Sequence, residues 1–290
     1  MEFEEYLSAN QHLSKLSQRT YETNYKKLRY GLDELREIAE EDITDYLDGL
    51  LQDQKIHPNT YVNILGVAIQ VRKHFQKPVA GLMKQKLIYS EKVKQNRQAK
   101  NIATLEGGAH SELDLFNHLE ILFAQQNWRE YIINFLLVHY HCRNKDLNLI
   151  LTDSITSAKA DTSKNYLVVV PSYVTMIRND FKTAGKYGQK KDRISQSKFK
   201  FAVDSFIEER GGLSQGHLFL LSTGVNAPVL EDSVQKYIAH KTLDKIGQSQ
   251  YNKIIVTEAV KKKDLKKLRE ISTRRGTSLE VLLDYYDLSF

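Results

Sequence analysis

Residues 128–150 read WREYIINFLLVHYHCRNKDLNLI, and the fold depends on how this stretch is understood. Its first fifteen residues are apolar on nearly every side of a helical wheel, a pattern that suits a helix enclosed by others and not one lying on a surface. The spacing therefore predicts a helix at the centre of a core. At its end stands Arg143, whose guanidinium needs a carboxylate or phosphate partner to be held beside apolar packing. Asp146 follows three residues on, then Leu147 and Ile150, so the run reads R-x-x-D-L-x-x-I. A local pair between Arg143 and Asp146 at the helix end is the simplest partner.

Upstream, SELDLFNHLEILFAQQ (111–126) predicts a second helix. Downstream, NYLVVVPSYVTMIRNDF (165–181) is dense in β-branched and aromatic residues broken at Pro171, which predicts one or two strands. A turn-rich basic stretch and DRIS follow. FKFAVDSFIEERGG returns to a helical pattern that Gly211 and Gly212 stop, and Asp232 with Ser233 suits the start of the next helix. The first 90 residues carry three amphipathic helices. Leu16, Tyr21, Tyr25, Leu28 and Leu32 mark one, with Ser17 as N-cap; Ile43, Tyr46, Leu47 and Leu50 mark another; Pro58 opens a third through Tyr61, Leu65, Ile69 and Val71. Residues 84–104 hold six basic residues against one acid and no sustained apolar face, so they read as a linker. The expected architecture is mostly α with a small β-sheet, an α+β fold: a helical module over 1–88, a basic linker over 89–110 and a mixed domain over 111–290.

The totals agree with two compact domains: 290 residues, 41% apolar and 27% charged. No apolar run approaches a membrane span, and MEFEEYLSAN lacks the order of a signal peptide, so an intracellular, membrane-free protein is expected. The single cysteine, Cys142, leaves no internal disulfide and no Cys-rich zinc site, and HYHC within a buried helix offers no four-ligand geometry; no metal or cofactor is expected. Net charge is +6, unevenly spread. Residues 1–50 carry 12 acidic and 6 basic side chains, whereas 245–275 carry 10 basic and 3 acidic ones, and 182–200 hold 7 basic residues against Asp192. Basic segments interleaved with tyrosines favour a polyanion, most simply nucleic acid, with a solvated helix face as the plain alternative.

From Arg143 onward the order of motifs resembles the tyrosine recombinases, the phage-integrase family of DNA breaking and joining enzymes. The S-x-x-T-Y and N-T-Y helices are similar to that family's core-binding domain, and the basic linker joins them to the arginine-bearing domain. The family's lysine on a β-turn is matched by Lys182 of FKTAGKYG, with Lys186 as runner-up. Its H-x-x-R is represented by Gln250 and Lys253, its histidine-bearing turn by Thr277 after Gly276, and its terminal tyrosine, nine residues past that turn, by Tyr286. The resemblance implies a clamp on double-stranded DNA, homo-oligomers on that DNA, and recombination or integration without metal.

Its chemistry explains the residue types. A tyrosine hydroxyl attacks a phosphodiester, leaving a 3′-phosphotyrosyl link and a 5′-hydroxyl, while fixed cations hold the phosphorane charge and a lysine protonates the leaving oxygen. Gln250 cannot exchange a proton and Lys253 lacks a bidentate fork, so the alternative is a DNA-binding protein that kept the fold and lost the reaction. Contacts to flanking phosphates would fall to Lys186, Lys190, Lys191, Arg193, Lys261, Lys262, Lys263, Arg274 and Arg275. Tyr286 shares a helical face with Leu279, Leu282 and Leu283, so a packed terminal tyrosine is its plain reading. Thr277 and Glu280 have capping-box spacing, which would start the last helix at Thr277.

Overall fold

The computed structural model describes residues 2–13, 15–106, 110–212, 216–218, 238 and 241–286. The chain divides into two units, Met1–Lys100 and Asn101–Phe290. No helix among the described residues is long and apolar enough to cross a membrane.

The first unit consists of α1 (Glu2–Ala9), α2 (Lys15–Arg29), α3 (Glu40–Gln52), α4 (Pro58–His74) and α5 (Ala80–Glu106). Leu28, Ile43, Leu47, Ile64, Leu65, Ala68 and Val71 are fully enclosed, at the helical spacing that their sequence positions imply. Two buried charges hold the non-helical stretch between α2 and α3. The Glu2 carboxylate accepts from the Tyr25 hydroxyl at 2.6 Å and the Leu35 amide at 2.7 Å, and Arg72 donates to the carbonyls of Leu35 and Ile38, both at 2.6 Å. These bonds satisfy backbone groups that no helix or sheet would otherwise pair. Residues 84–104, read as a linker for want of an apolar face, lie within α5. Lys, Gln, Ala and Glu favour helix there, no Gly or Pro interrupts it, and its first half is anchored: Tyr89 packs on the Tyr61 ring at 4.0 Å and donates to Asp48 at 3.0 Å. The boundary drawn at residue 88 falls inside this helix.

The second unit is mixed. Helices α6 (Glu112–Ala124) and α7 (Trp128–Tyr140) precede a sheet of β1 (Leu149–Thr152), β2 (Asn165–Val170), β3 (Tyr173–Arg178), β4 (Lys190–Ile194) and β5 (Gly216–His217), in the order β4-β3-β2-β1-β5. Among the described residues β1 and β2 pair in parallel and the other three pairings are antiparallel. Short helices α8 (Ile155–Ala160) and α9 (Ala184–Tyr187) interrupt the strands, and α10 (Ser197–Glu209), α11 (Gln248–Lys261), α12 (Leu265–Arg275) and α13 (Leu279–Tyr286) follow. The expected helix start at Asp232 lies outside the described residues. As its composition predicts, α7 is buried nearly all round. Leu167, Val174 and Met176 turn to the helical core, while Tyr166, Val168 and Ile177 close over Ala158 of α8. Both faces of β2 and β3 are therefore covered, which is why they read as near-continuous apolar runs. The chain is mostly α-helical with this small mixed sheet.

Candidate active site

The end of α7 shapes the site. His141 caps that helix in the left-handed conformation, φ 53°, and the chain turns through Arg143 into a short 3-10 segment, Lys145–Leu147. That turn brings Asp146 back so that its carboxylate accepts from the Arg143 amide at 2.9 Å. The R-x-x-D spacing thus closes a backbone turn. The Arg143 guanidinium itself does not pair with Asp146; it reaches across the fold and donates to the Arg275 carbonyl at 2.6 Å.

Asp146 pairs instead with Arg178, the last residue of β3, whose guanidinium lies 3.5 Å from Asp146 and 2.7 Å from Asp192 and donates to the Arg274 carbonyl at 2.9 Å. Arg178 and Asp146 are each only 1% exposed. Directly opposite Arg178 in the β3–β4 register stands Lys190, whose ammonium donates to the carbonyls of Thr273 and Arg274. Burial first, then Arg178 and further off Arg143, push its pKa down to about 8, against the pull of Asp146 and Asp192.

The last turn of α12 supplies the other half. Gly276 ends it at φ 60°, a conformation in which glycine is unstrained, and a Cβ there would stand 2.6 Å from Thr183 Oγ1 and 2.9 Å from Lys190 Nζ. Arg275, 1% exposed, donates to the His141 carbonyl at 3.0 Å and to the Tyr286 hydroxyl oxygen at 2.7 Å, and its guanidinium also lies over the Tyr286 ring at 4.6 Å. Arg274 donates to the His139 carbonyl and pairs with Glu270 at 2.8 Å. Burial lowers the Arg275 pKa, with Tyr286 opposing and Arg143 adding to the shift. Tyr286 packs its ring against the core and offers its oxygen to a cation; Tyr285 is 48% exposed.

The sequence-derived positions divide accordingly. Arg143 and Tyr286 meet at Arg275, one through its carbonyl and the other through its guanidinium. Lys182 does not join them: it is exposed in the β3–β4 connection, and the tight β2–β3 turn, Pro171 and Ser172, carries no lysine. Lys186 is exposed beside the Tyr187 ring, and Lys191 and Arg193 are exposed on the edge strand β4. Gln250 and Lys253 lie half-buried in the first turns of α11. Lys261 and Lys262 pair with Glu258 and Glu112, at 3.3 and 3.4 Å, and Lys263 is exposed beyond the helix end. Thr277 is not the cap of α13. Its amide donates to the Ser272 carbonyl at 3.1 Å and closes the end of α12, so capping passes to Ser278, whose hydroxyl accepts from the Val281 amide at 3.2 Å.

Sequence reasoning missed Arg178 and assigned Lys190, Arg274 and Arg275 to contacts with flanking phosphates, whereas Lys190 and Arg274 are half-buried and Arg275 is buried. A charged residue ending an otherwise apolar strand was the available signal for Arg178. Among the described residues no cluster of His, Cys, Asp and Glu could hold a metal ion.

Beside the site, burial holds His139 neutral, its pKa down to about 4, with Arg274 and Lys267 adding to the shift and Glu112 opposing it. His141 is shifted the same way, first by burial. The unfolded chain binds protons at these histidines below about pH 6.5, where the folded chain does not, so stability falls as pH drops from about 6.5 to about 4. His139 alone contributes on the order of 2–3 kcal/mol to that loss. Trp128, the single tryptophan, lies in this unit and reports its unfolding by fluorescence. His139→Phe should flatten the urea midpoint over this range; an unchanged slope would remove His139 as the cause.

No family model matches the sequence, and no curated protein does. Among solved structures the chain is similar to XerA recombinase, at 15% identity and a TM-score of 0.39, over 98% of this chain and 91% of that one.

Proposed function

We propose that this chain binds double-stranded DNA and breaks and rejoins it through Tyr286. The observation that carries the reading is the Tyr286 hydroxyl on the Arg275 guanidinium, with Arg143 on the carbonyl of the same residue. A hydroxyl nucleophile and two guanidinia within one hydrogen-bonded unit is what phosphoryl transfer asks for: an attacking oxygen, and fixed donors for the charge that grows on the phosphorane. The Tyr286 oxygen bonds to phosphorus as the bond to the 5′ oxygen breaks, the phenolic proton passes to water, and the 5′ oxygen takes up a proton. Lys190 replaces Lys182 as the donor of that proton, because a pKa near 8 lets an ammonium give up its proton near neutral pH whereas Lys182 faces solvent. The solvated lysines on β4 and beyond α11 would contact flanking phosphates and set the salt dependence.

Nicked suicide duplexes of randomised sequence test the reading, since release of a short 5′-hydroxyl strand traps the covalent link. Wild type and Tyr285→Phe should form an SDS-stable adduct and Tyr286→Phe none. Salt-dependent binding without adduct from the wild-type chain would leave a DNA-binding protein that lacks the reaction.

A further inference from the structure

Lys190 enters the site on the last pair of the β3–β4 ladder, opposite Arg178, where an antiparallel hairpin frays unless something ties its mouth. The chain leaves β3 at Asn179 and returns to β4 at Gln189. Side chains alternate faces along a strand, so the neighbours of Arg178 and Lys190 point away from the site. Their partners agree. The Gln189 amide donates to Asn179 Oδ1 at 2.6 Å and to the Lys159 carbonyl at 3.2 Å, and the Asn179 amide donates to the carbonyls of Ala158, Asp161 and Lys164 at 3.0, 2.8 and 2.9 Å. Those carbonyls belong to α8 and the turn after it, which cover the far face of the sheet.

Asn165, at the start of β2, extends the chain of amides. Its Oδ1 accepts from the backbone amides of Asn179 and Asp180, both at 2.8 Å, and its Nδ2 donates to the carbonyl of Asp180 at 2.8 Å and to that of Lys145, beside Asp146, at 3.2 Å. Asn165 and Asn179 are buried, a place that suits a carboxamide because it donates and accepts at once and carries no charge to desolvate. Three carboxamides behind the sheet thus bracket Arg178 and Lys190. The connection that they close also returns its rings to the lysine: the Phe181 and Tyr187 centroids lie 5.0 and 5.3 Å from Lys190 Nζ.

We propose that the relay Asn165–Asn179–Gln189 positions Lys190 for proton transfer to the leaving 5′ oxygen, with Gln189 as its closing link. The inference rests on the reading of Lys190 as that donor and adds which residues hold it there. Gln189 is the link to cut, because it is exposed and its loss leaves the buried Asn165 and Asn179 still bonded to backbone. With the hairpin mouth open, Lys190 leaves its rings and carbonyls for water. Burial and the cations Arg178 and Arg143, which lower its proton affinity against the pull of Asp146 and Asp192, then lose their hold on it.

Two measurements on the full chain test this. Titration of Lys190 by NMR at its Cε, without DNA, should give a midpoint of about 8 in wild type. Gln189→Ala, and Gln189→Met, which keeps the length and loses the donor, should titrate about one pH unit or more higher, toward the ordinary lysine value. The second measurement compares duplexes whose 5′ leaving atom is oxygen or sulfur. As the Tyr286 oxygen bonds to phosphorus, the sulfur leaves as a thiolate and takes no proton, since a thiol has a pKa of only about 8.5. Gln189→Ala should slow adduct formation about tenfold on the oxygen duplex and leave the sulfur duplex at the wild-type rate, with Lys190→Ala showing the same split and a larger loss. A wild-type midpoint at the ordinary lysine value, a midpoint that Gln189→Ala leaves in place, or equal slowing on both duplexes would overturn the inference. No DNA enters the titration, so a chain that forms no adduct yet shows the shifted midpoint loses the proposed function and keeps the positioning of Lys190.

Discussion

Arg178→Leu should cost the second unit about 3–5 kcal/mol, read as a lower urea midpoint of Trp128 fluorescence with an unchanged slope. The leucine is not the difficulty; what it leaves behind is. Asp146 is as buried as Arg178, and its Oδ1 has no hydrogen-bond partner among the described residues, so removing the guanidinium strands a carboxylate with one backbone amide for company. Asp192 loses this donor as well, and the Arg274 carbonyl is left to Lys190. Total domain stabilities of about 5–15 kcal/mol make such a loss about a fifth of the whole or more.

The same argument predicts rescue. Asp146→Asn keeps an acceptor for the Arg143 amide and removes the buried charge, so Arg178→Leu combined with Asp146→Asn should recover most of the loss, with a coupling of about 1–3 kcal/mol in the double-mutant cycle. Additive costs from the two substitutions would mean that solvent reaches Asp146 and that the pair is not what holds β3 to the turn after α7.

Legibility in the sequence follows how local each feature is. The burial of α7 is written in its own composition, and β2 with β3 in their β-branched runs, so these could be read directly. Strand β4, KKDRI, could not: an edge strand places charge along its length, which in one dimension matches a solvated turn. Which lysine faces inward is likewise a matter of register. Lys190 enters the site because it pairs across from Arg178 in an antiparallel ladder, a relation that spacing within FKTAGKYG cannot contain. Arg275 was hidden in a basic run because a run of charges is ordinarily solvated. Its burial comes from a partner, the carbonyl end of α7, 134 residues away in sequence. Arg143 and Tyr286 could be singled out since each adjoins a local signal, a core helix in one case and a glycine-led turn in the other.

Arg275→Lys should lower adduct formation at saturating DNA by about 10²-fold, the usual loss when a fixed donor to a developing oxyanion is removed. The guanidinium is a planar fork with one arm on the His141 carbonyl and the other on the Tyr286 oxygen. An ammonium is a point charge on a flexible stem and serves one of these at a time. Saturating DNA matters, because a loss confined to half-saturation would assign Arg275 to ground-state binding and not to the reacting geometry. The variant also bears on whether Tyr286 packs or attacks. Its ring lies against the core beside Leu279 and Leu283, whereas its oxygen is held by Arg275 alone among the bonds described above, so the two roles fall on different atoms of one side chain. Tyr286→Phe keeps the ring and should cost only about 1 kcal/mol of stability, the net worth of a hydrogen bond, while removing all adduct. Arg275→Lys keeps the hydroxyl and moves the cation. If packing were the whole role of Tyr286, both variants would register in the Trp128 unfolding curve and neither would matter to DNA; a rate that falls by two decades with Arg275→Lys, and to zero with Tyr286→Phe, requires the hydroxyl and the fork to act on the same phosphate.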